Sequence, residues 1–134
     1  MIEGVAAAPE TAWDGDDLAF AVQMADTADR ITMRHFTGDA LSHELKADGS
    51  PVSEAAREVE EALRRLVRAE RPADAFLGEE VGADGTARRR WIVDGIDGTV
   101  VYVHGGTGWG TEIALEVDGR VVVGVSTSPA MQRR

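Results

Sequence analysis

Asp94 and Asp97 are the residues in this chain best suited to chemistry. They lie in Trp91-Ile92-Val93-Asp94-Gly95-Ile96-Asp97-Gly98-Thr99, where three apolar residues read as a short buried strand and charge begins where the strand stops. Two carboxylates this close repel each other unless a cation or a proton intervenes. Hard divalent cations such as Mg²⁺ prefer oxygen ligands of this kind, typically one or two carboxylates together with substrate phosphate. The adjoining Gly98-Thr99 pair offers backbone N–H groups and a hydroxyl to an anionic oxygen, at a loop or helix start. A second acidic pair, Glu79-Glu80, comes after the apolar run Ala75 to Leu77 and Gly78.

These carboxylates need a scaffold, and the apolar periodicity supplies one. Residues 1–14 show no sustained period and read as an N-terminal arm, with Trp13 expected to dock. From Asp16 a helical face of Leu18, Val22, Ala25 and Ala28 appears, with Met24 and Ile31 beside it and Gly38 as its stop. His35 near its end suits the helix dipole. Leu41 to Leu45, which includes His43, alternates like an extended segment. Ser53 is expected to cap a second helix with the stripe Val59, Ala62, Leu63, Leu66 and Val67, ended by Pro72. Ala75 to Leu77 predicts a short strand, and Gly82 to Arg90 a polar turn whose arginines balance local acidity. Trp109 to Val117 and Arg120 to Thr127, joined by Asp118-Gly119, predict a hairpin with Ile113, Leu115 and Val117 on one face.

Composition narrows the function classes. The chain has 134 residues, enough for one core and not for two. Its formal charge of −10 argues against nucleic acid or an anionic membrane as partner. With no cysteine there is neither a disulfide nor a thiolate metal site. No apolar run approaches a membrane span and the N-terminus lacks a signal pattern, so a soluble cytoplasmic protein is expected.

The Asp94 to Thr99 run resembles the signature of the inositol monophosphatase superfamily, which also includes histidinol-phosphate phosphatases. That family writes it Asp-Pro-Ile-Asp-Gly-Thr, and five of the six positions match here. Gly78-Glu79-Glu80 resembles the family's Gly-Glu-Glu, and Tyr102-Val103-His104-Gly105 its aromatic-Val-His-Gly run. The likeness extends in order from about Leu18 to Ala130, closest in style to the histidinol-phosphatase branch. It implies an α+β fold, two helices packed on a mainly antiparallel sheet, the first-domain half of the family architecture, over residues 15–134. It implies that Glu79, Asp94, Asp97 and the Ile96 carbonyl ligate Mg²⁺. Gly98 and Thr99 would hold phosphate, with Thr99 also orienting the attacking water.

Four departures shape the functional expectation. The family's Thr-x-Ala-Asp run, whose aspartate helps activate water, stands here as Ser53-Glu54-Ala55-Ala56. Gly95 replaces proline and is expected to loosen the loop that holds both carboxylates. Val100-Val101 replaces a polar pair. A second half, with the Trp-Asp motif that completes the metal site, has no counterpart in these residues. Metal binding is therefore expected to be weak or lost. The first expected function is a repurposed pocket doing acid/base chemistry on a small molecule: a cyclisation, isomerisation or dehydration. Glu79, Asp94, Asp97, Thr99 and Glu112 would form it, Glu112 standing where the family has an apolar or small residue. The alternatives are an Mg²⁺-dependent phosphomonoesterase of histidinol phosphate or inositol phosphate type, weakly active or completed by a second chain, and a non-catalytic binding or regulatory module. Val121 to Val123, apolar on both faces, predicts a homodimer.

Overall fold

A computed structural model describes residues 13–36 and 51–134. Two long helices, α1 (Gly15–His35) and α2 (Pro51–Glu70), lie on one face of a five-stranded sheet. Its strands are β1 (Ala75–Gly78), β2 (Gly82–Asp84), β3 (Arg89–Asp97), β4 (Gly110–Val117) and β5 (Arg120–Thr127), in the order β2-β1-β3-β4-β5. Among the described residues only the β1–β3 pair is parallel, so the sheet is mainly antiparallel and the fold is α+β. A five-residue helix, α3 (Thr99–Val103), links β3 to the loop before β4.

Helix α1 begins with a reciprocal cap. The Asp14 carboxylate accepts N–H groups of Asp16 at 3.0 Å and Asp17 at 3.1 Å, while the Asp17 carboxylate accepts the Asp14 N–H. Asp14 thus caps the helix, and Trp13 just before it is 39% exposed. The buried stripe is Phe20, Ala21, Met24, Ala25, Ala28 and Ile31, while Leu18 is 43% exposed. The expected face is thus rotated, because the alanines let α1 approach α2 while Phe20 reaches Trp91 edge-on at 5.2 Å. His35 does lie at the surface end of α1, where its Nε2 pairs with Glu58 Oε1 at 3.0 Å. The expected stop at Gly38 and the extended segment with His43 fall outside the described residues.

Helix α2 starts at Pro51, so Ser53 lies inside its first turn and is not the cap. Proline fits there because the first helical N–H needs no partner. Val59, Leu63 and Val67 are buried, with Ala62 and Leu66 packed at the edge, as the spacing predicts. They meet Phe76, Trp91, Val93, Ile113, Leu115 and Val123 from the sheet to form the main core.

The strands extend further than expected. Gly82 to Arg90 is not a polar turn throughout: it contains β2, and β3 already begins at Arg89. The three arginines do balance nearby acids. Arg88 pairs with Asp118, Arg89 with Asp17 and Asp74, and Arg90 with Glu116. Strand β3 also does not stop at Val93 but runs through Asp94 to Asp97. The hairpin stands as expected, with Asp118 (φ 51°) and Gly119 (φ 81°) both in the left-handed region that a two-residue turn requires.

Among the described residues the helices cover one sheet face. Leu77, Ile92, Asp94, Glu112, Ala114, Gly124 and Ser126 line a broad open depression of about 830 Å³ on the other.

Candidate functional site

Strands β1 and β3 run parallel with Gly78 beside Val93, so their C-terminal ends deliver Glu79 and Asp94 to the same edge of the sheet. Glu79 N–H donates to the Val93 carbonyl at 3.3 Å, which extends the pairing to the residue that carries the carboxylate. Partial burial of Asp94, a hydrogen bond with the Glu79 carboxyl beside it, and the negative charges of Glu79, Asp97 and Glu60 together push the Asp94 carboxyl up to about 7. Asp94 can therefore take up or release a proton near neutral pH.

Past Asp94 the ladder breaks register. Asp94 faces Glu112 and Asp97 faces Gly110, so Gly95 and Ile96 share the single opposite residue Thr111 in a β-bulge. Thr111 Oγ1 donates to the Gly95 carbonyl at 2.8 Å, and the Gly95 N–H donates to Glu60 Oε2 at 3.1 Å. The glycine expected to loosen this loop is thus bonded on both sides. A Cβ there would also stand 2.6 Å from the Ala56 carbonyl oxygen, so α2 passes too close for any side chain.

The bulge carries Asp97 into solvent, clear of the Glu79–Asp94 pair but near enough to act on Asp94 through its charge. Gly98 comes next at φ 84°, a left-handed residue that turns the chain into α3, and Thr99 is exposed at the first position of that helix. Ile96 is buried with Ala55, Ala56, Tyr102, Val103 and Trp109 in a second small core behind the site. Glu112 stands across the ladder from Asp94, but Ser126 Oγ donates to its Oε1 at 2.9 Å and holds it toward β5.

The sequence-predicted residues are therefore brought to one edge, with Glu79 beside Asp94. Their oxygen donors have the right chemistry for a hard cation, yet among the described residues no three acidic, histidine or cysteine side chains converge to hold a metal. The arrangement as it stands does not fit a complete metal centre. Ala56, where the resemblance calls for a water-activating aspartate, is buried and places only a methyl group toward Ile96.

Sequence reasoning missed Glu60. It is fully buried on α2, and its carboxylate accepts N–H groups from Glu80 at 2.7 Å, Val81 at 3.1 Å and Gly95. Burial raises its pKa, partly opposed by those three N–H groups. A signal existed: Ala56, Glu60, Leu63 and Val67 keep helical spacing, which puts a carboxylate inside an apolar stripe.

Comparison with known proteins accords with this geometry. The sequence model of the inositol monophosphatase family matches residues 14–134. A histidinol-phosphatase of Streptomyces coelicolor is 46% identical over 123 residues, which cover 89% of this chain and 46% of that protein. A Streptomyces griseus protein described as a glucose-1-phosphate thymidylyltransferase is 47% identical over 121 residues, 88% of this chain and 46% of that protein. Among solved structures, an inositol monophosphatase from Zymomonas mobilis superposes with a TM-score of 0.72 at 40% identity, covering 87% of this chain and 45% of that one. The chain spans about half the length of the curated relatives it matches.

Proposed function

This chain belongs to the inositol monophosphatase family, and from that premise we propose that it supplies the carboxylate half of a site acting on a small phosphorylated alcohol or sugar, by phosphomonoester hydrolysis. The observation that carries the reading is the pairing of Glu79 with Asp94 at the ends of β1 and β3, with Gly98-Thr99 close by at the start of α3. The relatives' names support the substrate class, since histidinol phosphate, inositol phosphate and glucose 1-phosphate are all monoesters of small hydroxyl compounds.

In hydrolysis water adds to phosphorus, the bond from phosphorus to the alcohol oxygen breaks, and the alcohol leaves with a proton. Asp94, raised to about 7, is suited to give or take that proton at working pH. Thr99 Oγ1, exposed beside Gly98, is suited to donate to a phosphate oxygen. What this half does not supply is positive charge: a phosphate dianion approaching Glu79, Asp94 and Asp97 meets repulsion. Completion therefore has to bring cationic groups, and a second copy of this chain is the simplest source. On the open sheet face the carboxylates stand toward one end of β3 and Arg90, paired with Glu116, at the other. A twofold axis across the strands would set the acidic end of one copy against the arginine-bearing end of its partner, over the apolar strip of Leu77, Ile92 and Ala114.

The deciding experiment is phosphate release from histidinol phosphate and inositol 1-phosphate by the purified chain, with and without Mg²⁺. Turnover that disappears in Asp94→Asn is expected. No release from either ester under any condition would overturn the reading.

A second reading is favoured by Ala56 in place of the expected aspartate, together with the Asp94 carboxyl near 7. In it, the Glu79–Asp94 pair moves protons in a cyclisation, isomerisation or dehydration, and no phosphate is released.

A further inference from the structure

Two segments carry the reactive carboxylates: the turn after β1 bears Glu79, and the C-terminal part of β3 bears Asp94. Backbone pairing between β1 and β3 reaches only as far as the Glu79 N–H on the Val93 carbonyl, and past it the Glu79 turn and the Gly95 bulge leave the regular ladder. We propose that Glu60 is the positioning residue at that point, a buried carboxylate clip on α2 that ties the Glu79 turn to the Asp94 strand and fixes the two side chains beside each other.

The geometry is specific. Glu60 Oε1 accepts the N–H groups of Glu80 and Val81, the two residues just after Glu79, at 2.7 and 3.1 Å. Glu60 Oε2 accepts the N–H of Gly95, the residue just after Asp94, at 3.1 Å. One carboxylate therefore bonds both site segments from behind, at the residues next to their functional side chains. Two glycines open the slot it occupies. A Cβ at Gly78 would lie 2.3 Å from Glu60 Oε1, and one at Gly95 would lie 2.6 Å from the Ala56 carbonyl oxygen one turn earlier on α2. Gly95 also provides what a proline in that position lacks, a backbone N–H to donate. The glycine at this motif position and the buried glutamate thus form one device. A carboxylate left in the interior without these three donors would carry a large desolvation cost, so it is held to this geometry.

For its consequence in turnover the proposal rests on the phosphomonoesterase reading above, whereas the clip itself does not. The test uses Glu60→Gln, which keeps the shape and loses an acceptor, and Glu60→Asp, which keeps the charge and loses reach. Both are compared with wild type by amide exchange, by side-chain carboxyl carbon NMR in EDTA-containing buffer, and by phosphate-release kinetics. In each variant at least one of the Glu80, Val81 and Gly95 amides is expected to exchange about tenfold faster, with the β4–β5 amides unchanged. The Glu79 and Asp94 carboxyl signals are both expected to move at fixed pH, in Glu60→Asp as in Glu60→Gln, and kcat to fall at least tenfold with KM within about twofold. Unmoved Glu79 and Asp94 signals in folded Glu60→Asp overturn the proposal and leave Glu60 as a stabilising group only. Should Glu60→Asp not fold, unchanged protection of all three amides in Glu60→Gln does the same. A wild-type chain that releases no phosphate would sink the phosphomonoesterase reading, while exchange and carboxyl signals would still decide the clip.

Discussion

Asp94 stands directly opposite Glu112 across the β3–β4 ladder, two acids where a sheet ordinarily avoids like charges. The conflict is eased from both sides: Ser126 draws the Glu112 carboxylate toward β5, and Asp94 shares a hydrogen bond with Glu79. The site is therefore a place where local stability is given up, and that loss depends on pH.

Asp94 has its folded pKa raised from 3.8 to about 7. A raised folded value means the native state binds the extra proton, so its contribution to stability is full below about pH 4 and is lost as pH rises through 7. Asp94→Asn should accordingly abolish activity while unfolding at higher urea than wild type at pH 8, by roughly 1–3 kcal/mol. At pH 4 the two proteins should unfold together. Equal midpoints at pH 8 would contradict the assignment.

Ala56 invites the reverse experiment. Ala56→Asp restores a carboxylate beside Ile96 in the small core behind the site. Burial there should cost about 1–3 kcal/mol in denaturant unfolding. If hydrolysis is the function, phosphate release should nonetheless rise, on the order of 10-fold or more, because a general base returns. Unchanged or lower turnover from a folded variant would favour the non-hydrolytic reading.

Asp74 anchors the other end of β3. It accepts the Nε1–H of fully buried Trp91 at 2.9 Å and the Nε–H of Arg89 at 3.0 Å. Asp74→Ala leaves the buried Trp91 indole donor without its acceptor and removes one of the carboxylates that Arg89 pairs with. A loss of roughly 2–4 kcal/mol is expected in urea unfolding, with the pH dependence from Asp94 unaltered.

The open sheet face predicts self-association. Light scattering at tens of micromolar should give a dimer mass, and Ile92→Arg, on the uncovered face, should return the chain to monomer without unfolding it. A clean monomer for the unmodified chain would remove the second copy as the source of the missing cations.

Much of this protein is legible without coordinates because the relevant physics is local. The i, i+4, i+8 apolar spacing of Val59, Leu63 and Val67 dictates the buried stripe of α2. Asp118-Gly119, both left-handed, closes the β4–β5 hairpin, and the alternation along β4 puts Ile113 and Leu115 inward. The order Glu79, Asp94, Asp97, Gly98, Thr99 is enough to locate the site, since these acids and the Gly-Thr pair follow the apolar runs of β1 and β3. Tertiary structure decided the rest, through contacts between residues far apart in the chain. Leu18 stays outside because α1 turns its alanines toward α2 and its Phe20 toward Trp91. Asp94 is pushed up to about 7 because the closed core partly buries it and β1 delivers Glu79 beside it from another strand. Gly95, which in sequence reads as a loosened loop, is held because Glu60, 35 residues earlier, accepts its N–H from the interior. Periodicity carries no information about such a bond: its partners are set by how α2 crosses β3, and that is fixed only when the whole core closes.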